Sequence, residues 1–133
     1  MAIHTLHTKL RVADLTAGIR FYERAFGYTL RSRRPGPEGS EIAFLVLPGE
    51  VTELQLSQVA DNQPFEVPAR LMHLAYRVDA LDDVILAAVA AGATLVSGPY
   101  TLPSGSIVAF LRDPHGYDLE LVQKTSLDTK FAF

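Results

Sequence analysis

Two histidines and two side chains with oxygen donors recur at matching places in the two halves of this sequence. His7 and His73 are 66 positions apart, and Gln55 and Glu120 are 65 positions apart. Two imidazoles, one carboxylate and one amide oxygen form a donor set that suits a divalent cation such as Ni²⁺, Zn²⁺, Co²⁺ or Mn²⁺. Open coordination positions would remain for water or a substrate. We therefore predict one divalent metal ion at a site built from these four residues.

Each candidate ligand also has an ordinary interpretation when it is taken alone. A histidine on a half-exposed strand is more often a surface or hydrogen-bonded residue than a metal ligand. Glu120 alone would be interpreted as a solvated strand residue, and Gln55 alone would not be interpreted as a functional residue. The repeat favours the metal site because it predicts where the partners of each ligand should lie.

The composition narrows the possible chemistry. The 133 residues include no cysteine, which excludes disulfides, thiolate ligands and a cysteine nucleophile. The formal net charge of -3 gives no basic field for a nucleic acid.

The basic cluster at 31–34 is expected to be a solvated loop, with phosphate binding as the alternative. No apolar run of about 20 residues and no signal-like start occur, so we expect a cytoplasmic protein without a membrane segment.

The order of similar segments shows that the chain is a duplication of two βαβββ units. The matching segments are residues 6–12 with 72–78, 43–45 with 109–111, and 54–56 with 119–121. Strands are predicted at 5–12, 28–34, 41–47 and 52–58, and again at 72–78, 94–99, 106–112 and 117–123. The result is an α+β protein with predominantly antiparallel sheets, in which one helix covers one face of each sheet.

The two helices are predicted from their caps and apolar stripes. Asp14 is the expected N-cap of the first helix and Gly27 its stop, while Gly92 ends the second helix. The apolar stripes are Leu15, Ile19, Tyr22 and Phe26 in the first helix, and Leu81, Ile85, Ala88 and Val89 in the second. We predict a single domain over 1–133, with modules at about 5–58 and 71–123 and a linker at 61–70. The tail at 125–133 is expected to dock through Phe131 and Phe133.

Strand alternation places all four candidate ligands on polar faces. The apolar residues on the opposite faces are expected to pack against the helices. If approximate twofold symmetry relates the two halves, His7, Gln55, His73 and Glu120 can converge on one point of a shared concave side.

Three segments resemble a known family: LHTKLRVADLTAGIRFYERAFG, MHLAYRV and AFLRDPHGYDLEL. They are similar to the glyoxalase I / bleomycin resistance / extradiol dioxygenase group, the vicinal oxygen chelate superfamily. The resemblance covers about residues 5–123 and is closest to bacterial glyoxalase I (lactoylglutathione lyase). It implies two βαβββ modules forming a cleft, with a metal on its floor held by His7, Gln55, His73 and Glu120.

Several positions depart from the glyoxalase I pattern. A glutamate is expected where Gln55 stands, and a His, Gln, His, Glu set resembles methylmalonyl-CoA epimerase instead. Arg11, by contrast, matches an arginine of the glyoxalase I pattern that contacts the glutathione carboxylate. An asparagine and a lysine of that pattern are replaced by Val59 and Leu102. These two replacements argue against a glutathione conjugate as the substrate.

The resemblance implies metal-assisted proton transfer on an α-hydroxycarbonyl or thiohemiacetal substrate, as in lactoylglutathione lyase. Glu120 is then the catalytic base and a displaceable ligand, because it can take and return a proton beside the metal. Gln55 cannot act as a base, so Glu53, about 7 Å away along the strand, is a weak candidate for the second proton-transfer group. The alternatives are a methylmalonyl-CoA epimerase-like or other metalloenzyme of the superfamily, and a non-catalytic ligand-binding protein of the bleomycin-resistance type.

The metal and the assembly are predicted on the same basis. Ni²⁺ or Zn²⁺ is expected first, with Co²⁺, Mn²⁺ or Fe²⁺ as alternatives, since these ions share nitrogen and oxygen ligands. Small members of the superfamily commonly pair their modules across a homodimer. His7 and Gln55 of one chain would then meet His73 and Glu120 of the other; a site within one chain is the alternative.

Overall fold

The computed structural model describes residues 1–124, so the predicted docking of the tail through Phe131 and Phe133 lies outside the described residues. The chain divides into two compact units, Met1–Phe65 and Glu66–Phe133, which we call module 1 and module 2. Neither helix in the described part of the chain has the length and apolar character needed to cross a membrane.

Each module has the predicted βαβββ order, and the α+β fold class is confirmed. Module 1 contains β1 (His7–Arg11), α1 (Leu15–Phe26), β2 (Thr29–Pro35), β3 (Glu41–Val46) and β4 (Glu53–Gln58), with a short 3-10 helix at Pro37–Gly39. Module 2 contains β5 (His73–Arg77), α2 (Leu81–Ala90), β6 (Thr94–Thr101), β7 (Ile107–Arg112) and β8 (Asp118–Gln123).

The two sheets share one topology, with strand orders β1-β4-β3-β2 and β5-β8-β7-β6. In each sheet the opening strand pairs in parallel with the closing strand, and the other pairs are antiparallel. Parallel pairing requires a long connection, which the helix and the two intervening strands provide. The opening and closing strands, which carry the candidate ligands, are therefore neighbours within each sheet.

Helix α1 begins and ends where its capping residues predict. The Asp14 carboxylate accepts a hydrogen bond from the Ala17 amide at 2.9 Å, which satisfies one of the free N–H groups of the first turn. Gly27 ends the helix with φ 78°, a left-handed conformation that glycine adopts without strain. Three of the four predicted stripe residues are fully buried: Leu15, Ile19 and Tyr22.

Helix α2 follows the prediction less closely. Leu81 and Ala88 are buried, but Val89 is 46% exposed, so its predicted place in the buried stripe is wrong. Each residue rotates about 100° around a helix. Val89 therefore points well away from the line on which Leu81 and Ala88 lie. Because α2 is apolar on most sides, its composition does not indicate which face packs on the sheet.

A glutamine from the last strand of each module caps the helix of that module. Gln58 Oε1 accepts a hydrogen bond from the Leu15 amide at 2.8 Å, and Gln123 Oε1 accepts one from the Leu81 amide at 2.8 Å. Helix α2 depends on this contact more than α1 does, because Ala80 at its N-cap position has no side-chain acceptor. The cap joins the helix to the end of the closing strand in each module.

We expect Gln123→Met to lower the free energy of unfolding by about 1–2 kcal/mol, since it removes the acceptor from a partly buried N–H group. Urea denaturation followed by circular dichroism measures the change. Gln63→Met is the matched control, because within residues 1–124 the Gln63 side chain bonds to the exposed Asp61 carboxylate alone. Equal stability losses in the two variants would contradict the capping role.

Candidate metal centre

Module 2 brings two of the predicted ligands together. His73 Nε2 lies 3.6 Å from Glu120 Oε1. The two residues lie on the adjacent parallel strands β5 and β8, where Glu120 is in register with Ala75 and His73 is its diagonal neighbour. The Glu120 side chain is 8% exposed and the His73 side chain 47% exposed, so the carboxylate lies deeper than the imidazole.

The His73–Glu120 pair fits a divalent cation in both chemistry and distance. A tetrahedral ion with ligand bonds of about 2.1 Å separates its donor atoms by about 3.4 Å. The observed 3.6 Å separation is close to that value. An imidazole nitrogen and a carboxylate oxygen are also ligands that Zn²⁺ and Ni²⁺ accept. These two residues can therefore supply half of a four-ligand site.

Phe110 supports this pair from the neighbouring strand. It is in register with Glu120 across the antiparallel β7–β8 pair. Its ring centroid lies 6.1 Å from that of His73 in an edge-to-face arrangement. Edge-to-face contacts of this kind favour one ring orientation. Phe110 therefore restricts how the His73 imidazole can turn beside Glu120.

Module 1 repeats the same three positions with one chemical change. His7 lies on β1, Gln55 on β4, and Phe44 is in register with Gln55 on β3. The rings of His7 and Phe44 are 5.7 Å apart, again edge to face. Counted over the whole residue, Gln55 is 9% exposed and Glu120 is 6% exposed, so both residues are buried. The change from carboxylate to amide removes one negative charge from this half of the donor set.

Within residues 1–124, no group of three or more His, Asp or Glu side chains is close enough to hold a metal ion. Module 2 joins His73 with Glu120, and module 1 places His7 and Gln55 on adjacent strands. The convergence of all four residues on one ion stays a prediction.

Glu53, the weak candidate for a second proton-transfer group, has a specific partner in the structure. Its Oε2 lies 3.2 Å from Arg31 Nε, at ion-pair distance but without hydrogen-bond geometry. Glu53 is in register with His7 on the neighbouring strand, and its side chain is 13% exposed. The carboxylate is thus at the half-site of module 1, but one of its oxygens is occupied by the Arg31 guanidinium.

Arg11, the predicted substrate-binding residue, contacts the segment that follows β4. Its Nη2 donates a hydrogen bond to the Gln63 carbonyl at 3.0 Å. Its guanidinium carbon lies 4.4 Å from the centroid of the Phe65 ring. These contacts orient the side chain along the polar side of β1, and substrate binding by Arg11 stays a prediction.

The structure adds two basic residues that the sequence did not connect with the site. Lys9 is in register with Gln55 across the β1–β4 pair. The Arg34 guanidinium lies 5.0 Å from the centroid of the Phe44 ring, which is the neighbour of both His7 and Gln55. Strand alternation placed Lys9 on the same face as His7, but only the register shows that it lies beside Gln55.

A tight turn holds the strand that carries Glu120. The Asp113 carboxylate accepts hydrogen bonds from the amides of His115 and Tyr117, both at 2.9 Å. The Asp113 amide also donates to the Tyr117 carbonyl at 2.8 Å. Asp113 is 4% exposed, so these bonds satisfy a buried carboxylate. This turn precedes Asp118, where β8 begins.

Residues 4–121 match the Glyoxalase/Bleomycin resistance protein/Dioxygenase superfamily, and the chain belongs to that superfamily. The family resemblance of the sequence segments is therefore confirmed. The fold agrees with this assignment.

Three relatives show what the chain is similar to. The lactoylglutathione lyase of Neisseria meningitidis serogroup A is 30% identical over 132 residues, with 96% of each chain covered. Glyoxalase I from Zea mays has a TM-score of 0.79 at 27% identity over 92% of this chain and 45% of the maize chain, so this chain spans about half of that protein. An antibiotic-binding protein from Streptomyces has a TM-score of 0.75 at 27% identity, with 94% and 99% of the two chains covered.

Proposed function

We propose that this chain is a metal-dependent enzyme of the glyoxalase I type. It would move a proton between neighbouring carbons of an α-hydroxycarbonyl or thiohemiacetal substrate. The observation that carries the proposal is the His73–Glu120 pair, 3.6 Å apart on adjacent strands. His7 and Gln55 occupy the equivalent strand positions in module 1. The similarity to a lactoylglutathione lyase along nearly the whole chain supports the same reaction class.

The four residues would hold one ion, Ni²⁺ or Zn²⁺ first, with Co²⁺, Mn²⁺ or Fe²⁺ as alternatives. When bound, such an ion would polarise the substrate oxygens and stabilise the enediolate charge. Glu120 takes the proton from the carbon beside the carbonyl and returns it to the neighbouring carbon. Because Glu120 is 6% exposed, few water molecules can reach its carboxylate. Phe110 and Phe44 keep the two imidazoles in one orientation each.

Gln55 favours a specific alternative within the same class. The glyoxalase I pattern has a second carboxylate at this position. An amide here resembles the ligand set of methylmalonyl-CoA epimerase instead. The amide cannot accept a proton in the reaction. Epimerase-type transfer would use Glu120 on one side of the substrate and would need a second proton-transfer group on the other side.

We propose a homodimer in which each site takes His7 and Gln55 from one chain and His73 and Glu120 from the partner. Each module contributes one imidazole and one oxygen donor on neighbouring strands. A closed twofold dimer would combine two such halves into two equivalent sites.

We expect the purified protein to hold one divalent ion per site and to turn over the methylglyoxal–glutathione hemithioacetal or methylmalonyl-CoA. Metal analysis by mass spectrometry is run beside assays of both substrates, with a chelated and reloaded sample as the control. Turnover that is lost on chelation and restored by Ni²⁺ or Zn²⁺ supports the proposal. A protein that binds no divalent ion would contradict it.

A non-catalytic function is the second candidate. The similarity to an antibiotic-binding protein from Streptomyces over 94% of this chain favours it. A metal-free protein that binds a flat aromatic drug, followed by fluorescence titration, would support this function. Loss of the bound ion in His7→Ala, by contrast, would favour the enzyme.

A further inference from the structure

Two positively charged side chains flank Gln55 on the polar face of module 1. Lys9 is in register with Gln55 on one side, and Phe44 is in register with it on the other. The Arg34 guanidinium lies over the Phe44 ring, 5.0 Å from its centroid. Neighbouring strands are about 4.8 Å apart, so the Lys9 backbone lies about that far from the Gln55 backbone, and Arg34 lies against the ring on the other side of Gln55.

Both cations are available to a ligand. Lys9 and Arg34 are exposed, and neither has a carboxylate partner among residues 1–124. The two other arginines of β2 differ in this respect. Arg31 is paired with Glu53, and Arg33 binds Glu41 at 3.0 Å. The basic cluster of β2 thus divides into two neutralised arginines and one free cation.

Module 2 provides an internal comparison, because its strands pair in the equivalent register. Ala75 takes the place of Lys9 beside Glu120. Tyr100, in register with Val108, takes the place of Arg34, which is in register with Ile42. Module 1 therefore carries two positive charges and a neutral amide where module 2 carries no cation and one carboxylate. Arg11 in module 1 and Arg77 in module 2 occupy equivalent positions on the opening strands, so this pair does not contribute to the charge difference.

The pairing of Lys9 with an amide has a physical consequence. A glutamate at position 55 would lie directly beside the Lys9 ammonium and form an ion pair with it. Gln55 cannot neutralise Lys9, so the positive charge stays available above the floor of the half-site. The same reasoning applies to Arg34, since the Phe44 ring supports the guanidinium without cancelling its charge.

We propose that Lys9 and Arg34 bind an oxyanionic group, a carboxylate or a phosphate, that the substrate carries close to its reacting carbon. This inference rests on the proposed function, because it treats the face around Gln55 as part of the substrate site. It narrows the substrate to acidic carbonyl compounds and excludes uncharged ones. Lys9 and Arg34 act as specificity-determining residues, and neither takes part in the proton transfer.

We test the inference with the full-length, metal-free protein by NMR titration of ¹⁵N-labelled samples. Malonate and inorganic phosphate are the two anionic probes, and malonamide is the uncharged probe. We expect millimolar binding of at least one anion, with amide shifts around Lys9 and Arg34, and no binding of malonamide. A stronger response to malonate assigns a carboxylate, and a stronger response to phosphate assigns a phosphate group. In 0.5 M NaCl the binding should weaken several-fold because salt screens exposed charges.

Lys9→Ala, which copies Ala75 of module 2, and Arg34→Gln should each raise the dissociation constant for the anion about fivefold or more. Arg33→Gln is the matched control: it lies next to Arg34, but its side chain binds Glu41 and Thr16. The absence of anion binding, or an equal loss in Arg33→Gln, would overturn the inference. A parallel Co²⁺ titration separates the two proposals. Wild-type protein that binds Co²⁺ but neither anion refutes only the anion site, and protein that binds no Co²⁺ refutes the proposed metalloenzyme.

Discussion

Replacing Glu120 with glutamine is expected to lower kcat by about 10²- to 10⁴-fold, the usual contribution of a positioned general base. Glutamine keeps the shape of the side chain and an oxygen donor, but it cannot take up a proton. The variant also gives module 2 the same amide donor as module 1, where Gln55 stands at the equivalent strand position. Steady-state assays at saturating Ni²⁺ or Zn²⁺ measure the effect separately from any loss of metal affinity.

Glu41→Gln is the matched control for this change. Glu41 is an exposed carboxylate at the start of β3, and its hydrogen bond with Arg33 lowers the pKa of the Glu41 carboxyl. It lies three residues before Phe44 on β3, and among residues 1–124 its side chain pairs with Arg33 and with no candidate ligand. We expect Glu41→Gln to keep wild-type turnover. If Glu120→Gln turns over at a similar rate with its metal bound, Glu120 is not the base.

The histidine variants have the second large expected effect. His7→Ala and His73→Ala should each weaken metal binding by about 100-fold or more, because removal of a direct ligand exceeds the 10- to 100-fold losses seen for supporting residues. His4→Ala and His115→Ala are the controls, since the chain has four histidines and these two are not candidate ligands. Isothermal titration with Zn²⁺ gives the four affinities. Equal losses in all four variants would contradict the proposed ligand set.

A mixture of the two ligand variants tests the proposed dimer. If each site combines His7 of one chain with His73 of the other, a mixed dimer of His7→Ala and His73→Ala chains has one intact site and one doubly altered site. Random exchange of subunits should then restore about a quarter of wild-type activity and metal content. A site within one chain would give no recovery, because every chain in the mixture lacks one ligand.

The two modules place side chains of different charge at equivalent strand positions of their candidate half-sites. Module 2 carries the Glu120 carboxylate and Ala75, whereas module 1 carries the neutral Gln55 with Lys9 beside it and Arg34 over Phe44. Under the two proposals, module 2 would supply the charged ligand and the base, and module 1 would supply a neutral ligand and positive charge for the substrate.

The amino-acid sequence by itself determined the repeat, the βαβββ order and the faces of the strands. Local rules suffice for these features. Asp14 and Gly27 are at the ends of α1 because their side-chain and backbone preferences act over a few residues. Alternation along a strand likewise places His7 and His73 on polar faces without knowledge of any partner strand. The same rules predicted the buried side of α1 but not that of α2, where apolar residues occur on most sides.

Only the tertiary structure decided which residues are neighbours across strands. Lys9 is 46 positions before Gln55, and Arg34 is ten before Phe44, yet each pair is in contact or in register. The register between distant strands depends on how the apolar faces pack on the helix and on the lengths of the connections. The same holds for Gln58 and Gln123, whose helix caps become visible only when β4 and β8 pack beside α1 and α2. Such contacts depend on the whole fold, whereas the motifs that predicted the ligands are local.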